Sequence, residues 1–191
     1  MADVSRPRGA AWVEADGLAL CAATPADFDN DAVRQALRDA VERGYEGEPP
    51  SLPDGGEHYR VEADGAVVGV IGFRRDVPHE GAMTLDTLAV VRGARGHAFG
   101  TRALLAAEQR LAAEGILEGY ARVGRGNGHG MYFMLRCGYA PVAAPDGTDD
   151  GVTWFRRNPR LEPRVSGDVD ARPAGSLSAA PLRSPRSARG R

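Results

Sequence analysis

Lysine is missing: all 24 basic residues of this 191-residue chain are arginine. A Walker-type phosphate loop needs a lysine against the phosphates, and a Schiff-base enzyme needs a lysine amine, so both classes are excluded. Isoleucine is scarce as well, at two residues, while glycine reaches 25, which reads as the codon bias of a GC-rich genome. Cysteine is nearly absent. Cys21 and Cys137 stand alone, without metal-ligand spacing, and read as buried free thiols in a reducing compartment. The four histidines are scattered, so no metal is expected. The opening stretch MADVSRPRGAAWVEADGL lacks the apolar core of a signal peptide, and the longest apolar run, AVVGVIGF, is far too short to cross a bilayer. No membrane partner and a cytoplasmic location are therefore expected.

Charge is unevenly placed. From Arg157 onward there are eight arginines and three acidic residues, so the body before them is net acidic. An acidic body favours cationic small partners over nucleic acid. The segment from Asn158 is rich in Pro, Ser, Gly, Ala and Arg and lacks aromatics, a composition that cannot offset its ordering entropy. The expected organisation is a flexible N-terminus over 1–12, one folded domain over 13–157, and a disordered tail over 158–191.

Within the domain, strands and helices alternate. GLALCAA (17–23) reads as a strand and residues 29–45 as a helix, with apolar spacing at Val33, Ala36, Leu37, Ala40 and Val41 behind an Asp or Asn cap. A polar Pro/Gly loop follows. Residues 58–76 read as a hairpin turning at Asp64-Gly65, and 82–91 as another strand. A helix is expected from Gly100 to Glu114, a strand over 118–123, a short helix over 130–138, and two last strands in APVAA and GVTWFRR. Hairpins mixed with strand–helix–strand units predict a mixed sheet.

The chemistry concentrates in RGARGHAFGT, residues 92–101, which joins the strand TLAVV to the helix. Such a turn presents unpaired N–H groups at the positive end of a helix dipole, a ready site for phosphate. The glycines at 93, 96 and 100 do not have the G-x-G-x-x-G spacing of a dinucleotide fold, and no acid ends a second strand about twenty residues further on, since Glu114 and Glu118 lie around a helix C-terminus.

Arg95-Gly96-His97-Ala98-Phe99-Gly100, five residues after Val90, resembles the acyl-CoA signature [Arg/Gln]-x-x-Gly-x-[Gly/Ala] of the GNAT superfamily of N-acetyltransferases, with Ala98 in place of the first fixed glycine. A second element, Val123, Asn127, Gly138 and Tyr139, has the family spacing too. The resemblance spans residues 17 to about 157. It implies an α/β (α+β) fold: a mixed, mostly antiparallel central sheet flanked by helices, with splayed central strands. It implies that the pantetheine arm of acetyl-CoA lies along Leu88, Ala89 and Val90. The diphosphate would rest on the amides of Arg95, Gly96, His97, Ala98, Phe99, Gly100 and Thr101, with Arg92 or Arg102 near the adenosine-side phosphate. Asn127 would touch the pantetheine arm.

Acetyl transfer to an amine needs a base. Asp86 stands four residues before Val90, where many family members carry a glutamate, and strand alternation would put it on one face with Leu88 and Val90. It is either that base or a polar residue on the solvent side. Tyr45, Glu46 and Glu48 are competing contributors to the acceptor wall. The family often places a tyrosine acid seven residues after the Asn; here that position is Met134, and Tyr132 lies about 200° around the helix from it. The resemblance thus implies an acetyl-CoA-dependent N-acetyltransferase with an unspecified primary-amine acceptor. A non-catalytic acyl-CoA-binding module and an Arg-tailed scaffold stay open as alternatives, as does a homodimer.

Overall fold

The computed structural model describes residues 11–42, 56–145, 147 and 151–157. The expected tail and the residues Tyr45, Glu46 and Glu48 lie outside them. Eight strands form one sheet in the order β1-β2-β3-β4-β5-β6-β8-β7. They are β1 (Ala11–Ala15), β2 (Leu18–Ala22), β3 (Glu57–Ala63), β4 (Ala66–Arg75), β5 (Ala82–Val90), β6 (Glu118–Gly124), β7 (Tyr139–Val142) and β8 (Val152–Arg157). Every neighbouring pair is antiparallel except β5 with β6. That pair is joined by the helix α3 (Phe99–Ala113), as a parallel crossover requires.

Two hairpins share one sequence signal. VEADG occurs at 13–17 and again at 61–65, and in each copy Asp and Gly both take positive φ: 51° and 73° at Asp16-Gly17, 50° and 76° at Asp64-Gly65. Tight two-residue hairpins demand that geometry, because their twist must match that of the strands. The first copy creates β1, a strand not expected from the sequence. β1 begins at Ala11 and buries Trp12, which stacks on Tyr59 at 4.4 Å, so ordered structure reaches into the stretch read as a flexible N-terminus.

The sheet is covered on both faces. Leu20, Val61, Ile71, Phe73, Met83 and Leu85 pack beneath α3, which contributes Leu104, Ala107 and Leu111, and beneath α4 (Gly128–Arg136), which contributes Met134. Alternate residues of the same strands, Val70 and Ala89, meet Val33 and Ala36 of α2 (Asp31–Glu42) on the other side. Asn30 starts α2 by accepting from the amides of Ala32 and Val33 at 3.0 and 3.3 Å, the expected cap. One turn of helix, α1 (Pro25–Phe28), precedes it. Both cysteines are buried and free, and burial pushes the Cys137 thiol up to about 11.

Candidate active site

β5 and β6 begin as partners and then part. Their parallel ladder runs from Ala82 against Glu118 to Leu85 against Ala121 and stops there. Beyond it β5 continues along β4 as far as Val90 opposite Gly69, while β6 continues along β8 as far as Gly124 opposite Val152. Among the described residues, 86–90 therefore have a ladder on one side only, and a strand-shaped slot opens on the other.

The fork has a local cause. Thr87 lies opposite Gly72 and Leu85 opposite Phe73, so Asp86 is an extra residue, a β-bulge. A bulge shifts the alternation by one. Met83 and Leu85 point into the core under α3, and so does Leu88, while Ala89 points to α2. Asp86 is consequently not on the face of Leu88 and Val90, as uninterrupted alternation had suggested. It lies on the α2 face, where Arg74 of β4 grips it: Nε donates to Oδ2 at 2.6 Å and Nη2 to Oδ1 at 3.1 Å. From across the fork Arg122 of β6 brings Nη1 to 3.8 Å from Oδ1. The Asp86 side chain is only 6 % exposed.

Beside this cluster stands His58, which the sequence reading passed over as one of four scattered histidines. His58 pairs with Gly72, which in turn pairs with Thr87. Its ring occupies the space a side chain at residue 72 would need. A methyl at residue 72 would come within 2.3 Å of the ring Cδ2 and 2.8 Å of Nε2. Phe28 of α1 meets the ring edge-on at 5.7 Å. Burial lowers the histidine's pKa below the ordinary value, while the Asp86 charge and a hydrogen bond with the Gly56 backbone oppose that shift.

The slot leads directly to the turn. After a 3-10 turn at Arg92–Ala94, Gly96 and Ala98 adopt φ of 87° and 58°, and α3 starts at Phe99. Its first backbone bond is Arg102 N–H to Ala98 C=O at 2.9 Å. Among the described residues, nothing accepts from the amides of residues 96–101. The positive end of a 15-residue helix thus presents a run of free donors.

The sequence matches the model of the acetyltransferase (GNAT) family over residues 25–139. This chain belongs to the GNAT acetyltransferase family. Solved structures with the same fold include an acetyltransferase from Thermus thermophilus, 21% identical, with a TM-score of 0.57 over 73% of this chain and 96% of that one. A GNAT-family acetyltransferase from Staphylococcus aureus is 16% identical, with a TM-score of 0.60 over 74% and 98%. The PaiA N-acetyltransferase from Thermoplasma acidophilum, solved in complex with coenzyme A, is 16% identical, with a TM-score of 0.59 over 74% and 98%. No curated protein matches the sequence.

Set within the GNAT frame, the signature residues divide their labour. Arg95 is already engaged: its Nε donates to the Val90 carbonyl at 3.0 Å and its Nη2 lies 2.8 Å from Asp39 Oδ2. It clamps the turn to β5 and α2. Arg102 donates to the Asp16 carbonyl and stacks over Phe99 at 5.4 Å, whereas Arg92 is exposed. His97 is exposed and stacks on Phe99 at 5.9 Å. Gly100 is buried, and a Cβ there would meet Val90 and Phe133 at 3.4 Å, which shows how closely β5, α3 and α4 converge. Thr101 is buried, with Oγ1 3.9 Å from Cys137 Sγ.

Asn127 caps α4 through its Oδ1, which accepts from Gly130 N–H at 2.8 Å. Met134 is 2 % exposed in the core, and Tyr132 is 62 % exposed with its ring under Arg136. His129 is exposed. Among the described residues no group of His, Cys, Asp and Glu could hold a metal, and no helix is long and apolar enough to cross a membrane.

Proposed function

We propose that this GNAT protein transfers the acetyl group of acetyl-CoA to a primary amine by direct attack. One observation carries the reading: a one-sided strand edge at residues 86–90 runs straight into free amides at residues 96–101. A pantetheine arm has alternating amides and fits such an edge as an added strand, and a diphosphate fits the helix start. The Leu88 backbone and the Val90 N–H would hold the arm, because Ala89 turns its own N–H and C=O toward Val70 of β4 and the Val90 carbonyl already accepts from Arg95. The Asn127 side-chain amide, whose oxygen is used in the cap, has its NH2 left for the same arm.

The thioester would then lie near the fork, where the β5–β6 ladder ends at Leu85. There Asp86 and its arginines fix the field on the α2 face, from which an acceptor would approach. Both Asp86 oxygens are held by Arg74, so the carboxylate expected as the base serves better to set charge than to collect a proton.

Titration with acetyl-CoA, followed by melting temperature and calorimetry, tests the binding half. Release of free thiol in the presence of a broad amine panel tests the transfer half. Binding with turnover supports the proposal. Binding without turnover of any amine points to the acyl-CoA-binding module, and no binding points to the scaffold.

A further inference from the structure

We infer that His58 is the general base of this site, taking the proton of the incoming ammonium directly or through one water. The inference rests on the transferase reading above and names a residue for it outside the family signature.

The row His58–Gly72–Thr87 places an imidazole, a glycine and the β5 bulge side by side. β4 contributes no side chain at residue 72, so the imidazole extends sideways over its backbone toward the β5 bulge. Any larger residue at 72 would collide with the ring. The bulge is also where β5 leaves β6, so the imidazole faces the fork at which a thioester would end. It does so from the face that carries α1 and α2.

Among the described residues, the charged groups around the ring have identifiable partners. Asp86 of β5 acts on it electrostatically. Arg74 of β4 and Arg122 of β6 are engaged with Asp86. On β3, Arg60 lies 3.5 Å from Asp27 of α1 and is hydrogen-bonded to Glu62. α1 itself presents the apolar Phe28. A ring in that setting is a neutral acceptor at pH 7, which Asp86, tied to an arginine, is not suited to be.

The proton balance closes without a tyrosine at residue 134. His58 takes one proton from R–NH3+, and the freed lone pair attacks the thioester carbonyl. The C–S bond breaks as the tetrahedral centre collapses. The second proton leaves the attacking nitrogen for the departing thiolate, giving R–NH–CO–CH3 and free CoA thiol. His58 returns its proton to solvent.

The test uses the full chain with acetyl-CoA, the amine panel and His58→Gln. Expected are an acetyl-CoA Kd within about threefold of wild type, a fall in kcat/KM on the order of 10²-fold, and loss of the acidic limb of the pH–rate profile. Gly72→Ala, which displaces the ring, should lower the rate in the same direction. A His58→Gln protein that keeps the wild-type rate and limb overturns the inference while leaving the transferase reading standing. A wild-type protein that binds no acetyl-CoA overturns both. If wild type binds acetyl-CoA yet acetylates no amine in the panel, imidazole NMR decides. A His58 titration below the ordinary histidine value that acetyl-CoA displaces supports the inference, and one that acetyl-CoA leaves unmoved overturns it.

Discussion

Arg74 and Asp86 form a two-point ion pair across β4 and β5, at 2.6 and 3.1 Å, on the one residue by which β5 outruns its partner strand. The pair anchors the bulge, and the bulge sits where the sheet opens. Charge and backbone geometry are therefore coupled at the point where chemistry is proposed.

Asp86→Asn separates the two roles that a carboxylate could play there. Acetyl-CoA affinity should hold, because no phosphate donor is touched, and transfer should slow by about tenfold or more. The Asp86 charge raises the proton affinity of His58, so its removal should move the acidic limb of the pH–rate profile to lower pH. A limb that vanishes instead would make Asp86 the base.

Ala98→Gly tests the departure from the family signature. Ala98 holds φ of 58°, a left-handed conformation that costs a residue with a Cβ roughly 1–2 kcal/mol. Glycine removes that strain and gives back part of the gain as unfolded-state entropy. A net stabilisation of about 0.5–1 kcal/mol, or a melting temperature about 2 °C higher, is expected. A drop on calorimetric unfolding would contradict the left-handed start of α3.

Gly96→Asp places a carboxylate beside the free amides. The site has room, with nothing within 4 Å of the added Cβ, although the φ of 87° makes any side chain there strained. Acetyl-CoA binding should be lost by calorimetry. Gly96→Ala bears the same strain without the charge and should retain most of the affinity.

Tyr139→Phe probes stability away from the slot. The phenol donates to Glu108 Oε1 at 2.6 Å, and burial raises the Glu108 pKa against the opposing effects of Tyr139 and Arg157. Without the phenol a buried carboxylate loses a donor, at a cost of about 1–3 kcal/mol. A carboxyl whose folded pKa is raised contributes stability below its unfolded value that fades as pH rises. The thermal deficit of the variant should therefore be largest at neutral pH and shrink toward pH 4.

The Arg95 clamp involves a carboxyl shifted in the other direction. Hydrogen bonds from Gln35 and then Arg95 hold the Asp39 carboxyl below its usual range. That contribution is present above the unfolded value of about 3.9 and lost as pH falls through the folded one. Asp39→Asn should lower the melting temperature at pH 7, and the difference should close in strong acid. A constant difference across the range would show that the pair contributes nothing through charge.

Much of this protein could be read from local sequence. Asp64-Gly65 announced a hairpin because only a few residues take two left-handed steps in succession. The identical VEADG at 13–17 carried the same signal for β1 and went unread. The turn before α3 was legible because glycine spacing and a following helix are local features, and the Val123–Tyr139 element because its spacing is fixed by packing. Asn127 caps a helix, and Tyr139 is fully buried on Glu108.

What tertiary structure decided was the direction in which side chains point. Asp86 was assigned a face by counting residues, and a single bulged residue moved it to the other one. Arg95 stands in the signature turn, and the fold pairs it with Asp39, 56 positions earlier in the chain. His58 had no pattern around it at all. It gained significance only when β3, β4 and β5 aligned it with a glycine and a carboxylate. Strand pairing brings together residues with no fixed separation in sequence, so no motif can encode them, whereas turns and caps are written within a few consecutive residues.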